Sequence, residues 1–187
     1  MAKDQRKAAI RIILIMGLVS LFGDVIYQGA RSVNGPYLKV LGANAAIVGF
    51  VAGLGELLGY AIRLLSGYFA DKTKGHWLFA FIGYGALLTV PLLALTGTWQ
   101  MVAFLIVLER VGKAVRSPAK DTIVSQVSKR VGTGFAFGLQ KAFDQLGGTI
   151  GPVFFSLFFY FGARGNKGLA DYQKGYAFMW IPFVLVM

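Results

Sequence analysis

The sequence predicts an all-α membrane protein, and three observations carry the prediction. Of 187 residues, 56% are hydrophobic and only 14% are charged, against roughly 45–50% and about 25% in an ordinary soluble domain. The apolar residues gather into runs of about 20, the length a helix needs to cross about 30 Å of hydrocarbon. The net charge of +11 is concentrated between those runs. In a soluble protein such a charge points to nucleic acid. Between membrane spans it reports which loops face the cytoplasm, so no nucleic-acid partner is expected. The sequence has no cysteine, which excludes disulfide scaffolds, zinc fingers, iron–sulfur clusters and thiol catalysis. No metal-ligand cluster or nucleophile–base pair is visible, so the expectation is no metal, no cofactor and no enzyme.

Six spans are expected. The first covers about residues 10–30. Its basic start and the apolar stretch Ile12 to Phe22 resemble a signal peptide, but the helical pattern continues through Asp24, Tyr27 and Gln28 and further spans follow. It is read as a retained span. The second covers 44–70, with Asn44 as its N-cap. The third, 77–97, carries no charge and contains Pro91, which neighbouring helices can accommodate. The fourth is open to two readings. Its apolar part, Met101 to Leu108, is followed by Glu109, Arg110, Lys113, Arg116 and Lys120. It ends either near Ser117, with its charges among headgroups, or near Val124, with those charges facing a wet cavity. The fifth covers 137–162. The sixth, 176–187, would extend only roughly 18 Å as a helix. It reads as truncated and the chain as a fragment with a genuine N-terminus.

With the N-terminus inside, the inner segments hold Lys3, Arg6, Lys7, Arg11, Lys72, Lys74, Arg110, Lys113, Arg116, Lys120, Lys129 and Arg130. The outer ones hold Arg31, Lys39, Arg164, Lys167 and Lys174. That asymmetry predicts a multi-pass plasma-membrane protein with a cytoplasmic N-terminus.

Ionisable groups at membrane depth are costly, so each is a functional candidate. Ser20, Asp24, Gln28 and Arg31 share one helical face. Glu56, Tyr60 and Arg63 share another, and Gln140, Asp144 and Gly148 a third, with Lys141 and Gln145 beside it. Polar stripes on these spans, together with the charges of the fourth, predict a cavity lined by spans one, two, four and five. Asp24 is the leading proton carrier, with Glu56 and Asp144 as assistants. Glu56–Arg63 and Lys141–Asp144 could equally be structural ion pairs. Gly49/Gly53 and Gly55/Gly59 have the spacing of close helix contacts. The run Gly53-Leu54-Gly55…Gly59 lacks the spacing and the preceding strand of a dinucleotide loop. Gly112-Lys113 lacks the remainder of a phosphate loop, and His76 reads as an interfacial residue.

Gly67-Tyr68-Phe69-Ala70-Asp71-Lys72 resembles the G-x-x-x-D-R/K loop signature of the major facilitator superfamily, although Lys74, Gly75 and His76 depart from its continuation. Gly138, Gly147, Gly151 and Pro152 match the G-x(8)-G-x(3)-G-P spacing of that family's fifth-helix signature; its trailing glycine pair is replaced by Phe155 and Ser156. The segment Glu109 to Asp121, with Gly134 to Gly138 and Lys141 to Asp144, is similar to a bacterial subset of unassigned substrate. The resemblance implies the N-terminal six-helix half, built of 3+3 inverted repeats, of a twelve-helix fold. It also implies alternating access around a midplane site and a missing C-terminal half as partner. It further implies a cytoplasmic latch of Gly67, Asp71, Lys72 and Arg110. The glycine–proline signature implies proton-coupled export of a small solute or drug. If Arg110, Lys113 and Arg116 lie in the cavity, the alternative is symport or exchange of an organic anion. A non-transporting membrane assembly or lipid-binding protein is the reading outside transport.

Overall fold

The computed structural model describes residues 2–162 and 167–187. Arg164, counted above among the outer cations, lies outside them. Among the described residues the chain is helical and contains α1 (Ala2–Val40), α2 (Ala45–Thr73), α3 (His76–Gly85), α4 (Thr89–Leu92), α5 (Trp99–Ser128), α6 (Thr133–Gly162), α7 (Leu169–Ala177) and α8 (Trp180–Val186). Three stretches are long and apolar enough to cross a membrane: Gln5–Val40, Ala45–Thr73 and His76–Leu95. α5 and α6 are each 30 residues, about 45 Å at 1.5 Å per residue.

Several helix bounds differ from the sequence expectation, each for a local reason. α1 runs ten residues past Ala30 despite Pro36, because Tyr37 and Leu38 bury their side chains and anchor its far end. It stops at Gly42, whose φ of 91° permits the paired bonds Gly42 N–H to Lys39 O and Ala43 N–H to Leu38 O, a glycine-terminated C-cap. Asn44 then caps α2 by accepting the Ile47 N–H at 2.9 Å. The third span is broken into α3, a 3₁₀ turn over Ala86–Leu88, α4 and a second 3₁₀ turn over Leu93–Leu95; Pro91 supplies no N–H there, and tighter turns replace the missing bond. The sixth span is likewise divided at Phe178–Met179, because Pro182 cannot bond the Phe178 carbonyl four residues back. The fourth span takes the longer of its two readings, with α5 continuous through Pro118. That proline frees the Ala114 carbonyl, and Ser66 of α2 donates its hydroxyl to it at 2.8 Å.

Packing follows from glycine placement. Placing a Cβ on Gly147 would strike the Leu21 carbonyl, and one on Gly151 the Val25 carbonyl; one on Gly17 would meet the Phe143 ring. The constant offset of these pairs makes α1 and α6 parallel neighbours at backbone distance. Gly83 against Arg116 and Gly112 against Ala86 place α3 antiparallel on α5. By contrast, Gly49, Gly53 and Gly59 of α2, and Gly138 of α6, meet nothing within 4 Å among the described residues. The apolar core lies toward the Val40 end of α1. There Tyr37, fully buried, stacks on Tyr172 and meets Tyr176 at a tilt, with ring centroids 5.5 and 5.1 Å away.

Candidate functional site

Beyond that core the bundle opens into two adjoining polar cavities. The larger, about 350 Å³, is lined by Ser20, Asp24 and Gln28 of α1, Arg63 of α2 and Tyr84 of α3. α5 adds Lys113, Arg116, Ser117, Lys120 and Asp121, and α6 adds Phe137, Gln140, Lys141, Asp144 and Gln145. The smaller, about 240 Å³, is lined by Tyr27, Arg31, Glu56, Tyr60, Arg63, Arg110, Lys113 and Ser117 among others. Arg63, Lys113 and Ser117 form the shared wall.

Each polar face exists because its helix is long enough to carry charges at one angular position while the remaining faces stay apolar. On α5, Glu109, Lys113, Arg116 and Lys120 fall at i, i+4, i+7 and i+11, one face by helical periodicity. In the smaller cavity Glu56 is the hub. Its Oε1 accepts from Arg31 Nη2 at 2.9 Å and from Arg110 Nη1 at 2.6 Å, and Arg110 also reaches the Tyr27 hydroxyl at 2.6 Å. In the larger cavity Arg116 lies 5.0 Å above the Tyr84 ring, with Nη2 3.8 Å from Asp24 Oδ1. Lys113 Nζ sits 3.3 Å from the Tyr27 ring centroid. Lys120 Nζ donates to both oxygens of Asp144 at 3.1 Å, and Arg63 approaches Asp121 at 3.6 Å. The larger cavity thus carries five cations, Arg63, Lys113, Arg116, Lys120 and Lys141, against the carboxylates of Asp24, Asp121 and Asp144.

Three sequence expectations are corrected here. Glu56 does not pair with Arg63, seven residues along its own helix, because Arg31 and Arg110 reach it from α1 and α5. Asp144 pairs with Lys120 of α5 rather than with Lys141. Arg110 is not in a latch with Asp71: it is bound to Glu56, 15 positions earlier on α2 and so about 22 Å away along the axis. Asp71 instead has His76 Nδ1 at 4.0 Å, Lys72 leans 5.8 Å over Tyr68, and Gly67 meets Pro118. Of the glycine–proline set, Gly147 and Gly151 pack against α1, while Pro152 and Gly138 touch neither cavity.

The sequence named Glu109 only among the charges of the fourth span and assigned no site role to Tyr27 or Tyr84. Glu109, with a side chain 7% exposed, lies behind Arg110 with Oε2 4.0 Å from Arg110 Nε. Its signal was the periodicity of the charged α5 face. Tyr27 and Tyr84 contribute ring faces to cations, and nothing distinguishes them in sequence from ordinary core aromatics. Among the described residues no three of His, Asp and Glu gather as a metal-ligand set.

The sequence comparisons fit this architecture. The family model of the Major Facilitator Superfamily matches residues 12–186, and the chain belongs to that family as a multi-pass membrane protein. It is 44% identical over 147 residues to an uncharacterized protein of Mycobacterium tuberculosis and, equally, to one of Mycobacterium bovis. Each alignment covers 78% of this chain and 36% of the relative. An uncharacterized MFS-type transporter of Methanocaldococcus jannaschii is 29% identical over 148 residues, 78% of this chain and 37% of its own length. The matched region thus spans just over a third of these curated relatives.

Proposed function

We propose that the chain is the N-terminal half of a proton-coupled secondary transporter that moves a small solute by alternating access, multi-pass in the plasma membrane with its N-terminus cytoplasmic. The observation that carries this reading is the placement of Asp24 opposite Arg116 in a polar cavity lined by α1, α2, α3, α5 and α6. A carboxylate there can hold a proton on one side of the membrane and release it on the other. Asp144 and Glu56 stand in the same cavities as assistants, and the C-terminal half would supply the opposite wall.

Of the two solute classes the sequence leaves open, the excess of cations over carboxylates in the larger cavity favours an organic anion. Protonating Asp24 removes the counter-ion of Arg116 and strengthens its hold on an anion, so proton and anion bind together. Their reciprocal effect on affinity is the linkage that symport requires. A second reading, proton-driven export of a small solute or drug, is favoured by Gly147, Gly151 and Pro152. In that scheme the solute competes with the proton for Asp24 instead of binding alongside it.

The test is proton flux through the full-length protein in proteoliposomes, followed with an entrapped pH dye under imposed gradients of either sign. Asp24→Asn is expected to abolish solute-linked proton movement while anion exchange persists. Unchanged proton-linked flux would remove Asp24 from the mechanism, and solute movement against the proton gradient would select export.

A further inference from the structure

We propose that Arg116 and Gln140 form a two-point recognition site for a small organic anion that also carries a hydroxyl or N–H donor. This rests on the organic-anion reading above and specifies what that site selects. Both residues line the larger cavity and are almost fully buried, 4% and 3% exposed, and each keeps one polar atom without a partner: Arg116 Nη1 and Gln140 Oε1. A buried guanidinium donor and a buried amide acceptor are costly to leave unpaired.

The surroundings explain why these two buried atoms lack partners. Arg116 Nη2 faces Asp24 Oδ1 at 3.8 Å, an ion pair beyond hydrogen-bond length, and the guanidinium rests on the face of Tyr84. The Tyr84 hydroxyl is 2.9 Å from Ser20 Oγ, and Gln140 Nε2 donates to the same Ser20 oxygen at 2.7 Å. Gln140 Nε2 also lies 3.4 Å from Asp144 Oδ1. A carboxylate only accepts, so it holds the amide with its NH₂ toward Asp144 and its oxygen turned away. One polar chain, Tyr84–Ser20–Gln140, therefore links the ring beneath the Arg116 guanidinium to the Gln140 amide. Of the other cations of this wall, Lys120 is bound to Asp144, Arg63 approaches Asp121, Lys113 lies on the Tyr27 ring, and Lys141 is exposed to solvent. Arg116 is the buried cation with an unpartnered N–H group, and its planar fork suits a carboxylate or phosphoryl oxygen. The vacant acceptor, Gln140 Oε1, demands a donor on the same solute. The cavity volume, equivalent to roughly ten waters, accommodates a short hydroxy acid or phosphate monoester.

Because the chain has no cysteine, Ser117→Cys places a single thiol in this half, at the wall shared by the two cavities. In full-length protein reconstituted in liposomes and otherwise free of cysteine, maleimide labelling of that thiol reports occupancy. The probes are matched pairs that differ in hydroxylation: lactate and propionate, malate and succinate, glycerol 3-phosphate and propyl phosphate. The expected result is that at least one hydroxylated member protects at a concentration about ten-fold or more below its partner. Arg116→Gln is expected to remove protection by both members. Gln140→Leu is expected to level the pair by weakening only the hydroxylated one, while Gln140→Asn, which keeps the amide, retains part of the preference. Arg116→Lys retains the charge without the fork and serves if Arg116→Gln does not fold; it is expected to weaken protection by both members. Labelling from both membrane faces with no protection by any anion, or protection that survives Arg116→Gln, overturns the recognition site and leaves alternating access standing. Labelling from one face alone overturns the transport reading itself.

Discussion

The α1–α6 pair and helix α2 are held by different physics. α1 and α6 meet backbone to backbone, with Gly147 and Gly151 seated on the Leu21 and Val25 carbonyls. α2 buries only Val51, Gly55, Ser66 and Ala70 of its 29 residues, and Gly49, Gly53 and Gly59 meet nothing among the described residues. It joins the core through Val51, Ile47 and Val48, and it also carries polar clasps to α1 and α5: Glu56 to Arg31 and Arg110, Arg63 to Asp121, and Ser66 to the Ala114 carbonyl. Glycine contacts of the first kind leave no slack, whereas polar clasps can exchange partners. In a membrane, where lipid is as apolar as leucine, packing and polar bonds replace the hydrophobic effect between helices. The contrast therefore separates a rigid pair from an element attached by rearrangeable bonds.

The largest effect should come from breaking the rigid pair. Gly147→Leu or Gly151→Val forces side-chain atoms into α1 backbone, an overpacking cost of about 1–3 kcal/mol or more. The expected outcome is loss of monodisperse full-length protein in detergent size-exclusion profiles. Gly53→Ala, facing open space, should be neutral or raise the melting temperature, since alanine is favoured over helical glycine by about 0.8–1.0 kcal/mol. Equal damage from both would remove the distinction between the two regions.

Next in size is Glu56→Gln. It leaves Arg110, whose side chain is 10% exposed, without its hydrogen-bonded carboxylate and with only the more distant Glu109, 4.0 Å away. Charge-assisted hydrogen bonds of this kind contribute about 1.5–3 kcal/mol. A fall in thermal stability, together with faster hydrogen exchange confined to α2, is the expected outcome. Destabilisation spread evenly over α1 and α6 would show that the clasp is not local.

How far this site was legible in the sequence depends on whether the signal lies within one helix or between two. The Asp24 face stood out because its nearest cation on the same helix, Arg31, lies near the outer end of the span. The Glu109–Lys120 face obeys the same periodicity, yet charges near a span's end read equally well as headgroup anchors, so continuity of α5 had to be seen. The extension of α1 to Val40 was hidden because hydropathy falls after Ala30, while what fixes that end is burial of Tyr37 under Tyr172 and Tyr176. Pairing was the least legible. Glu56 and Arg63 share a face by spacing, but the partners of Glu56 come from α1 and α5, and no single-helix pattern encodes which neighbour arrives first. Arg110 is set beside Asp71 only by the family resemblance, and the structure pairs it with Glu56 instead.

The smallest expected effect is at Arg63. Its pair with Asp121 is 3.6 Å long, and the two side chains are 51% and 48% exposed, so its contribution should be at most about 1 kcal/mol. Arg63→Gln should therefore shift the melting temperature barely, and by less in 1 M salt, where the Debye length falls to about 3 Å. Arg63 nonetheless lies on the wall common to both cavities. If α2 is attached by exchangeable bonds, this substitution should change how readily a thiol at Ser117→Cys is labelled while leaving stability almost untouched. A stability loss as large as that of Glu56→Gln would mean that Arg63 is a fixed strut. Altered labelling at unchanged stability would identify it as the clasp that opens most easily, because its bond is the longest and the wettest of those that tie α2 to α1 and α5.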